Sequence, residues 1–344
     1  MLSRVANSLY WMVRYIERAD NLARLIEVNE QLVLDLGKID RETLAALWRP
    51  VIASTGDEEL FDEAHPDGQQ SEAIHFLTVD RENPNSIASC VALARENARM
   101  VRDQLAEALW EELNGLYLFV NSDEGAWKLA NDAAGYYEQI RRATHSFHGI
   151  AAATTLRGEA WDFMDLGRHL ERADKTTRFL DITTFLERRI DEFGLTVDEH
   201  WLAILRSCGG LGAFRMKYRA KFKPRNIAEF LILSSDFPRS VRFCVDRVDQ
   251  SLHAISGTPR GGFSDDAEIK SGQLLSALAY ASIDDVLDGG LHVYLDSLQT
   301  RLNDIGEEIF RTYVLLPEQI EDRPPIPANT VSAVVRWQME QQQQ

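Results

Sequence analysis

Apolar residues recur every three or four positions along most of the chain, the spacing of one face of an α-helix. The first long stripe begins near Ser3, a suitable N-cap, and stops before Gly37, a residue that favours helix termination. It predicts a helix over residues 3–36. Its apolar positions are Val5, Leu9, Met12, Val13, Ile16, Leu22, Leu25, Ile26, Leu32 and Leu36. A second long stripe predicts a helix over residues 157–191.

The same spacing predicts shorter helices elsewhere, including 87–113, 124–149 and 265–287. Residues 56–70 are acidic and contain glycine and proline, so we expect an exposed loop there. No segment alternates apolar and polar residues as a half-buried strand does. The sequence therefore predicts an all-α fold, a multi-helix bundle of about ten helices.

A charged motif occurs in both long helical stripes. Both copies read Arg-x-x-Glu-Arg-Ala-Asp-x-x-x-Arg, and the glutamates at positions 17 and 171 are 154 residues apart. The charged positions are Arg14, Glu17, Arg18, Asp20 and Arg24 in the first copy, and Arg168, Glu171, Arg172, Asp174 and Arg178 in the second. The sequence thus contains an internal duplication of a charged long helix.

Helical geometry places most of the motif on one face, with Asp20 and Arg24 forming an i,i+4 pair. Arg18 and Arg172 should point elsewhere, about 100° round from the glutamates. Charges that face solvent would not need the same pattern in two separate helices. We therefore expect the two helices to pack around a pseudo-twofold axis with their charged faces inward. A looser echo of the motif follows at Glu96, Arg99 and Arg102, also on one side of a helix.

Two interpretations of the motif remain open. In the first, it is a buried Arg–Glu network that fixes helix register and contributes little net stability. In the second, it is a recognition cleft whose arginines bind a carboxylate or phosphate bidentately, while the acids hold them or accept an amine.

The amino-acid composition argues against some classes of function and indicates a cellular compartment. The chain has 344 residues, 45% hydrophobic and 26% charged, with a net charge of −17. That charge argues against nucleic-acid binding and attraction to anionic membranes. The three cysteines are widely spaced in apolar settings, so we expect reduced core thiols and a cytoplasmic protein. No signal-peptide pattern and no apolar run of 18 residues is present.

The domain prediction is one helical domain over residues 1–321, with pseudo-repeat halves of about 1–154 and 155–321. Residues 322–344 form a Pro-rich and Gln-rich tail.

Other chemistry has weak support. No nucleophile signature, Walker loop or dinucleotide fingerprint is present, so no cofactor is predicted. A metal site in a helical bundle needs the spacing Glu-x-x-His, but His169 precedes Glu171 by two residues. The arginines of the motif would also neutralise the carboxylates. No metal is therefore predicted. His145 and His148 are interpreted as a pair at a helix C-terminus, where the dipole favours them.

A basic run stands out in this acidic chain. It predicts either a solvated connector or a docking patch for an anion or an acidic partner. Its members are Arg215, Lys217, Arg219, Lys221, Lys223 and Arg225.

Four motifs in order carry a resemblance: Tyr15 to Arg24, Ala94 to Arg99, Leu170 to Asp174 and Phe237 to Arg242. Together they span about residues 1–315, and in them the chain resembles the bacterial alpha-E family, a predicted all-helical family defined by a Glu-Arg motif. The resemblance implies a helical fold and a gene neighbourhood shared with circularly permuted ATP-grasp ligases and transglutaminase-like cysteine peptidases. It also implies a role beside a system that forms amide bonds in peptides.

Two functions therefore follow as expectations. The first is a non-catalytic helical partner that binds such a ligase or peptidase, or its peptide-like substrate, through an Arg/Glu cleft. The alternative is an enzyme with Glu17 or Glu171 as general base. An enzyme should enclose these acids in a pocket with a displaced carboxylate pKa. A purely structural duplication, and the oligomeric state, are left open.

Overall fold

A computed structural model describes residues 1–36, 40–187, 196–219 and 222–314 of the protein. Within these ranges the chain forms sixteen α-helices and no strand, so the all-α prediction is confirmed and the number of helices exceeds the ten expected. The helices are α1 Ser3–Leu36, α2 Arg41–Ala53, α3 Glu58–Ala64, α4 Gln70–Thr78, α5 Ile87–Met100, α6 Glu107–Val120, α7 Asp123–Asn131, α8 Ala133–Thr154, α9 Glu159–Glu187, α10 Val197–Ser207, α11 Leu211–Tyr218, α12 Pro224–Leu233, α13 Val241–Ser256, α14 Asp266–Tyr280, α15 Ile283–Asp288 and α16 Leu291–Tyr313.

The two motif helices, α1 and α9, form the centre of the bundle. They pack against each other, and α1 also contacts α5, α8 and α10, while α9 contacts α10, α13 and α16. Every residue of α1 from Tyr10 to Ile26 is buried. A helix buried on all sides is normally apolar all round, so the charges on α1 must find partners inside the protein.

A glycine allows the two central helices to approach closely. A Cβ built on Gly167 of α9 would lie 2.5 Å from the backbone carbonyl oxygen of Tyr10 in α1. Glycine inside a helix costs roughly 0.5–1 kcal/mol relative to alanine. The close contact at this position gives a steric reason for glycine here.

Helix packing repeats along the chain with the period of the motif. The contacts of α1 with α5 and α8 recur as contacts of α9 with α13 and α16, and α6 packs on α8 as α14 packs on α16. The predicted boundary between halves falls in the turn between α8 and α9. The division into one domain and a tail stays a prediction, and residues 315–344 lie outside the described residues.

The helix predicted over residues 87–113 is wrong. Helix α5 ends at Met100, a 3-10 turn covers Arg102–Gln104, and α6 begins at Glu107. The chain folds back here so that α6 packs on α5, which buries Leu109 and Leu113. No glycine or proline marks the reversal, because tertiary burial rather than local sequence determines it.

Two other predicted helices are interrupted at capping residues. Asp132 separates α7 from α8, and its side chain accepts a hydrogen bond from the Gly135 N–H. Extended backbone at Ala281 and Ser282 separates α14 from α15 within the predicted 265–287 helix. Aspartate and serine are favoured N-caps, so a local signal was present at both breaks.

The predicted loop over residues 56–70 contains α3. Its Phe61 is fully buried, with its ring 5.2 Å from that of Phe76 in α4. This aromatic contact explains why an acidic, glycine-containing segment is ordered as a helix. None of the helices in the described ranges has the length and apolar character that a membrane span requires.

Gly167→Ala should lower the free energy of unfolding by about 1–3 kcal/mol, because the added methyl group overlaps the Tyr10 carbonyl and separates α1 from α9. Urea denaturation measures the change. The control is Gly149→Ala in α8, where a Cβ meets nothing within 4 Å, and here we expect a gain of up to about 1 kcal/mol. Equal stabilities for the two variants would refute the close-approach interpretation.

Candidate functional site

The duplicated motif forms reciprocal ion pairs across the contact between α1 and α9. Glu171 of α9 accepts hydrogen bonds from the Nε atoms of Arg14 (2.8 Å) and Arg18 (2.7 Å) of α1. Glu17 of α1 accepts one from Arg172 Nε of α9 (2.8 Å). Both glutamates are 0% exposed. We call these contacts the crossed pairs, because each copy of the motif supplies arginines to the glutamate of the other copy.

The expectation that Arg18 and Arg172 point away from the site is wrong. Each donates from Nε to the opposite glutamate, and Arg18 also donates from Nη2 to Glu171 at 3.2 Å. The expectation considered one isolated helix. When two helices cross, the contact face of each includes neighbouring positions, so a glutamate and the arginine after it both face the partner helix.

The aspartates of the motif form pairs within their own helices, at the spacing that the sequence predicts. Arg24 Nε lies 3.1 Å from Asp20 Oδ2, and Arg178 Nε lies 2.9 Å from Asp174 Oδ1. Arg168, by contrast, is only within ion-pair distance of Glu17, at 3.4 Å. The ten motif residues are therefore brought together at one crossing.

From the sequence, no site role was assigned to the residues that complete the crossed pairs from outside α1 and α9, although Arg239 belongs to the fourth motif of the resemblance. Arg239, just before α13, donates to Asp20 Oδ2 at 2.6 Å and lies 3.4 Å from Glu17 Oε2. Asn85, just before α5, accepts a hydrogen bond from Arg18. Positions 85 and 239 differ by 154, and both stand in a Pro-x-Ser cap. That repeated cap was the signal that could have found them.

Helix α8 covers the first copy of the motif. His148 Nε2 lies 2.8 Å from Glu17 Oε1, although it lacks hydrogen-bond geometry, and the Thr144 hydroxyl donates to Asp20 at 3.0 Å. His145 Nε2 lies 3.8 Å from Asp20 Oδ1. The interpretation of the histidines as a C-terminal pair is wrong, because α8 continues to Thr154 and their contacts are with motif residues.

Helix α16 occupies the corresponding place beside the second copy, but it leaves a cavity of about 380 Å³ between itself, α1 and α9. Positions 154 residues beyond His145 and His148 are Gln299 and Leu302, and both line this space. Three motif residues also line it, namely Arg14, Asp174 and Arg178. We call this space the α16 cavity.

Two buried polar atoms in the wall of the α16 cavity have no hydrogen-bond partner in the described part of the chain. They are Nε1 of Trp11, whose residue is 5% exposed, and Oδ1 of Asn7, one turn earlier on α1. An indole N–H is a donor only, whereas a carboxamide oxygen is an acceptor. The described residues have ten such atoms, and these two belong to residues that also line a cavity, which makes this wall a candidate binding surface.

Electrostatics keep both glutamates ionised. Burial alone would raise the pKa of Glu171, but Arg18 and Arg14 outweigh it and hold the pKa far below its usual range. Burial would also raise the pKa of Glu17, but Arg172 and Arg239 outweigh it and hold that pKa well below its usual value. Burial lowers the pKa of His148 to about 4 despite the adjacent Glu17. His148 is therefore neutral at pH 7 beside an ionised carboxylate.

The looser echo of the motif lies apart from the crossed pairs. Arg99 pairs with Glu96 at 2.8 Å near the end of α5, where both side chains have substantial exposure. Arg102 lies beyond that helix, with its guanidinium 5.1 Å from the centre of the Trp110 ring. The prediction that these residues share one side of a helix is wrong for Arg102, because α5 ends at Met100.

The basic run is divided between two helices. Lys217 of α11 pairs with Asp236 at 3.2 Å, and Arg225 of α12 pairs with Asp284 at 2.7 Å. Arg219 ends α11 in a left-handed conformation with φ 47°. Arg215 lies over the Phe222 ring, Lys223 precedes α12, and Lys221 lies outside the described residues. Its role as a docking patch or a connector stays a prediction.

Metal and thiol chemistry find no support in the described residues. No cluster of histidine, cysteine and carboxylate side chains there has an arrangement that could hold a metal ion. Cys90, Cys208 and Cys244 are buried free thiols, and burial raises the pKa of each to about 12. A thiol with so high a pKa is a poor nucleophile at neutral pH.

Comparison with known proteins gives a family but no activity. The Alpha-E family model, described as a predicted alpha-helical domain with a conserved ER motif, matches residues 1–314. Uncharacterised proteins of Mycobacterium bovis and Mycobacterium tuberculosis are each 24% identical over 333 residues, which is 91% of this chain and 37% of the relative. The chain thus spans little more than a third of their length. No solved structure matches it.

Glu171→Gln should lower the free energy of unfolding by about 3–5 kcal/mol, because it removes the charge that compensates buried Arg14 and Arg18. Glu17→Gln should have a similar effect. Urea denaturation at pH 7 measures both. The control is Glu96→Gln, which disrupts an exposed pair and should cost less than about 1 kcal/mol. Losses below that value at the buried sites would contradict the assignment of a structural network.

Stability should fall as pH decreases from about 6.5 to 4. The folded pKa of His148 lies below the unfolded value, so the unfolded chain binds more protons in this window and is favoured there. Below about pH 4.5, protonation of the carboxylates with lowered pKa values, Glu17 and Glu171, removes further stability.

The variant His148→Leu, which introduces the residue type found at the matching position 302, should reduce proton uptake on unfolding between pH 4 and 6.5 by up to one proton. The slope of unfolding free energy against pH measures this. An unchanged slope for His148→Leu would show that His148 does not titrate as assigned.

Proposed function

The chain belongs to the Alpha-E family, and we propose that it is a non-catalytic binding module that holds a peptide-like ligand in the α16 cavity. The observation that carries this proposal is the asymmetry of the two motif copies. Side chains of α8 contact Glu17 and Asp20 at the first copy, whereas a cavity of about 380 Å³ adjoins Asp174 at the second. Ligand pockets are commonly about 300–1,000 Å³, so the space suits a small ligand or a short peptide segment.

The cavity wall matches the chemistry of a peptide group. An amide unit has one N–H donor and one C=O acceptor, and the wall has one unpaired donor at Trp11 and one unpaired acceptor at Asn7. These two residues are four apart on α1 and share a face of the helix. The N–H and C=O of one extended ligand residue point to the same side, so bonding to Asn7 and Trp11 respectively would satisfy two buried polar atoms that otherwise lack partners.

The alternative, an enzyme with Glu17 or Glu171 as general base, has less support. A general base works best with a pKa near the operating pH and within hydrogen-bond reach of its substrate. Both glutamates have a strongly lowered pKa, and both are fully buried. Arginine donors bind both oxygens of Glu171 and Oε1 of Glu17, and the remaining oxygen of Glu17 is buried, so neither glutamate has a free path to a substrate proton.

The biological setting that we propose is a cytoplasmic amide-bond-forming system, with an ATP-grasp ligase and a transglutaminase-like peptidase as partners, as the family resemblance implies. The match to only 37% of the mycobacterial relatives supports a module that works beside other domains. In this setting the module would hold the peptide while a partner carries out the chemistry.

Filling the cavity should weaken binding. Gly306 of α16 lines the cavity, and a Cβ there would lie 3.6 Å from Leu170 Cδ2, in ordinary contact, so a leucine side chain can extend into the space. With alanyl-alanine amide as probe in isothermal titration calorimetry, we expect Gly306→Leu to weaken binding at least about tenfold.

The matched control is Gly149→Leu, at an exposed helical glycine of α8 with open space around its Cβ, and it should bind like the wild type. The proposal fails if the wild type does not bind the dipeptide amide at millimolar concentration. It also fails if both leucine variants bind as the wild type does.

A further inference from the structure

The α16 cavity has an excess of negative charge. Among the described residues, four carboxylates and two guanidinium groups line it. They are Asp174, Asp296, Asp304, Glu307, Arg14 and Arg178. Part of this charge is already compensated, because Arg178 pairs with Asp174 at 2.9 Å and Arg311 pairs with Glu307 at 2.5 Å.

Two acids of the wall remain without a counter-ion. Within the described ranges, no cationic group lies within 4.0 Å of Asp296 or Asp304 on α16. Asp304 is partly buried and Asp296 is exposed. They are eight residues apart, about 12 Å along the helix, so one cationic group can pair closely with only one of them.

The arginines of the wall are not available for a ligand carboxylate. Arg14 donates from Nε to Glu171 and from Nη1 to the Tyr10 hydroxyl, both at 2.8 Å, and its guanidinium stacks 4.7 Å from the Trp11 ring centre. Arg178 donates to Asp174 from Nε. Binding an anion here would require breaking these contacts or adding negative charge beside unpaired acids, and both are unfavourable.

The two motif copies differ in the groups that lie beside the motif aspartate. Beside Asp20, α8 places the imidazole of His145, whose Nε2 lies 3.8 Å from the Asp20 carboxylate and accepts a hydrogen bond from Arg24 Nη2 at 2.6 Å. The matching carboxylate of the second copy is Asp174, and the matching position of α16 is Gln299, which has no basic nitrogen. Instead, Lys175 of α9 has its Nζ 3.2 Å from Asp174 Oδ2, so Asp174 is already compensated and the wall acids left for a ligand cation are Asp296 and Asp304.

We infer that the α16 cavity binds its ligand by an ammonium group, and that Asp304 is the main counter-ion. This inference rests on the proposed function and specifies the ligand class: a peptide with a free amino terminus or an amine side chain. The ammonium group lies against Asp304, while the backbone C=O and N–H of the next ligand residue bond to Trp11 and Asn7 respectively. Such an amine is the nucleophile that an amide-bond-forming partner consumes.

Three probes of similar size test the inference by calorimetry: alanyl-alanine amide, which is cationic, its N-acetyl derivative, which is neutral, and N-acetyl-alanyl-alanine, which is anionic. We expect the wild type to bind the cation about tenfold more tightly than the neutral probe and not to bind the anion measurably. The preference should decrease as salt rises from 0.05 to about 0.5 M.

Asp304→Asn should remove the preference for the cation and retain the affinity for the neutral probe. Asp288→Asn, at an exposed acid that ends α15, is the matched control and should behave as the wild type. Urea denaturation of each variant verifies that it is folded. Since Asp304 has no ion pair within the described residues, its loss should not unfold the protein.

The outcomes separate the two proposals. Equal binding of the cationic and neutral probes, both abolished by Gly306→Leu, would overturn the ammonium inference and support the peptide-binding module. A preference for the cation that Asp304→Asn does not change would overturn the assignment of Asp304. The absence of binding by all three probes would overturn the proposed function itself.

Discussion

The rest of the structure depends on the burial of charge where α1 crosses α9. Moving an ion out of water costs several kcal/mol even after relaxation, and attraction to a partner offsets this only when geometry and hydrogen bonding are both good. The crossed pairs meet this condition, with hydrogen bonds of 2.7–2.8 Å to glutamates that are 0% exposed. Such pairs need not add much net stability. Their effect is that any sliding or rotation of one helix leaves buried charges uncompensated.

This constraint explains the arrangement around the crossing. Because the glutamate of each helix depends on arginines of the other, neither motif helix can satisfy its charges alone. The caps that precede α5 and α13 supply Asn85 and Arg239, so these helices also begin at fixed points relative to the crossing. Gly167 then permits the close approach that the hydrogen bonds require. Register, helix spacing and charge compensation are therefore one coupled property of the bundle.

The sequence was sufficient for the helical class and for the pairing of two motif helices, because a 3.6-residue period and an exact duplication are local signals. Asp20 with Arg24 follows from spacing alone. Arg18 was misplaced because its partner, Glu171, is distant in sequence and depends on the crossing geometry. The reversal between α5 and α6 was missed for a related reason, since only tertiary burial of Leu109 and Leu113 marks it. The cavity could not be predicted, because it depends on how closely the side chains of α1, α9 and α16 pack, and the sequence alone does not specify that packing.

The two copies of the motif differ in the side chains that surround each buried glutamate. At the first copy, Glu17 is within 4.0 Å of His148, Arg168, Arg172 and Arg239, so four basic side chains of the protein surround this carboxylate. At the second copy, Glu171 is equally well bound by arginines, yet the layer outside it consists of Gln299, Leu302 and Gly306 and leaves a void. Protein interiors are normally close-packed, so the side chains around a void lose van der Waals contacts that a filled core would give them. The crossed pairs of both copies fix the helices, and in the function that we propose the ligand occupies the void beside the second copy.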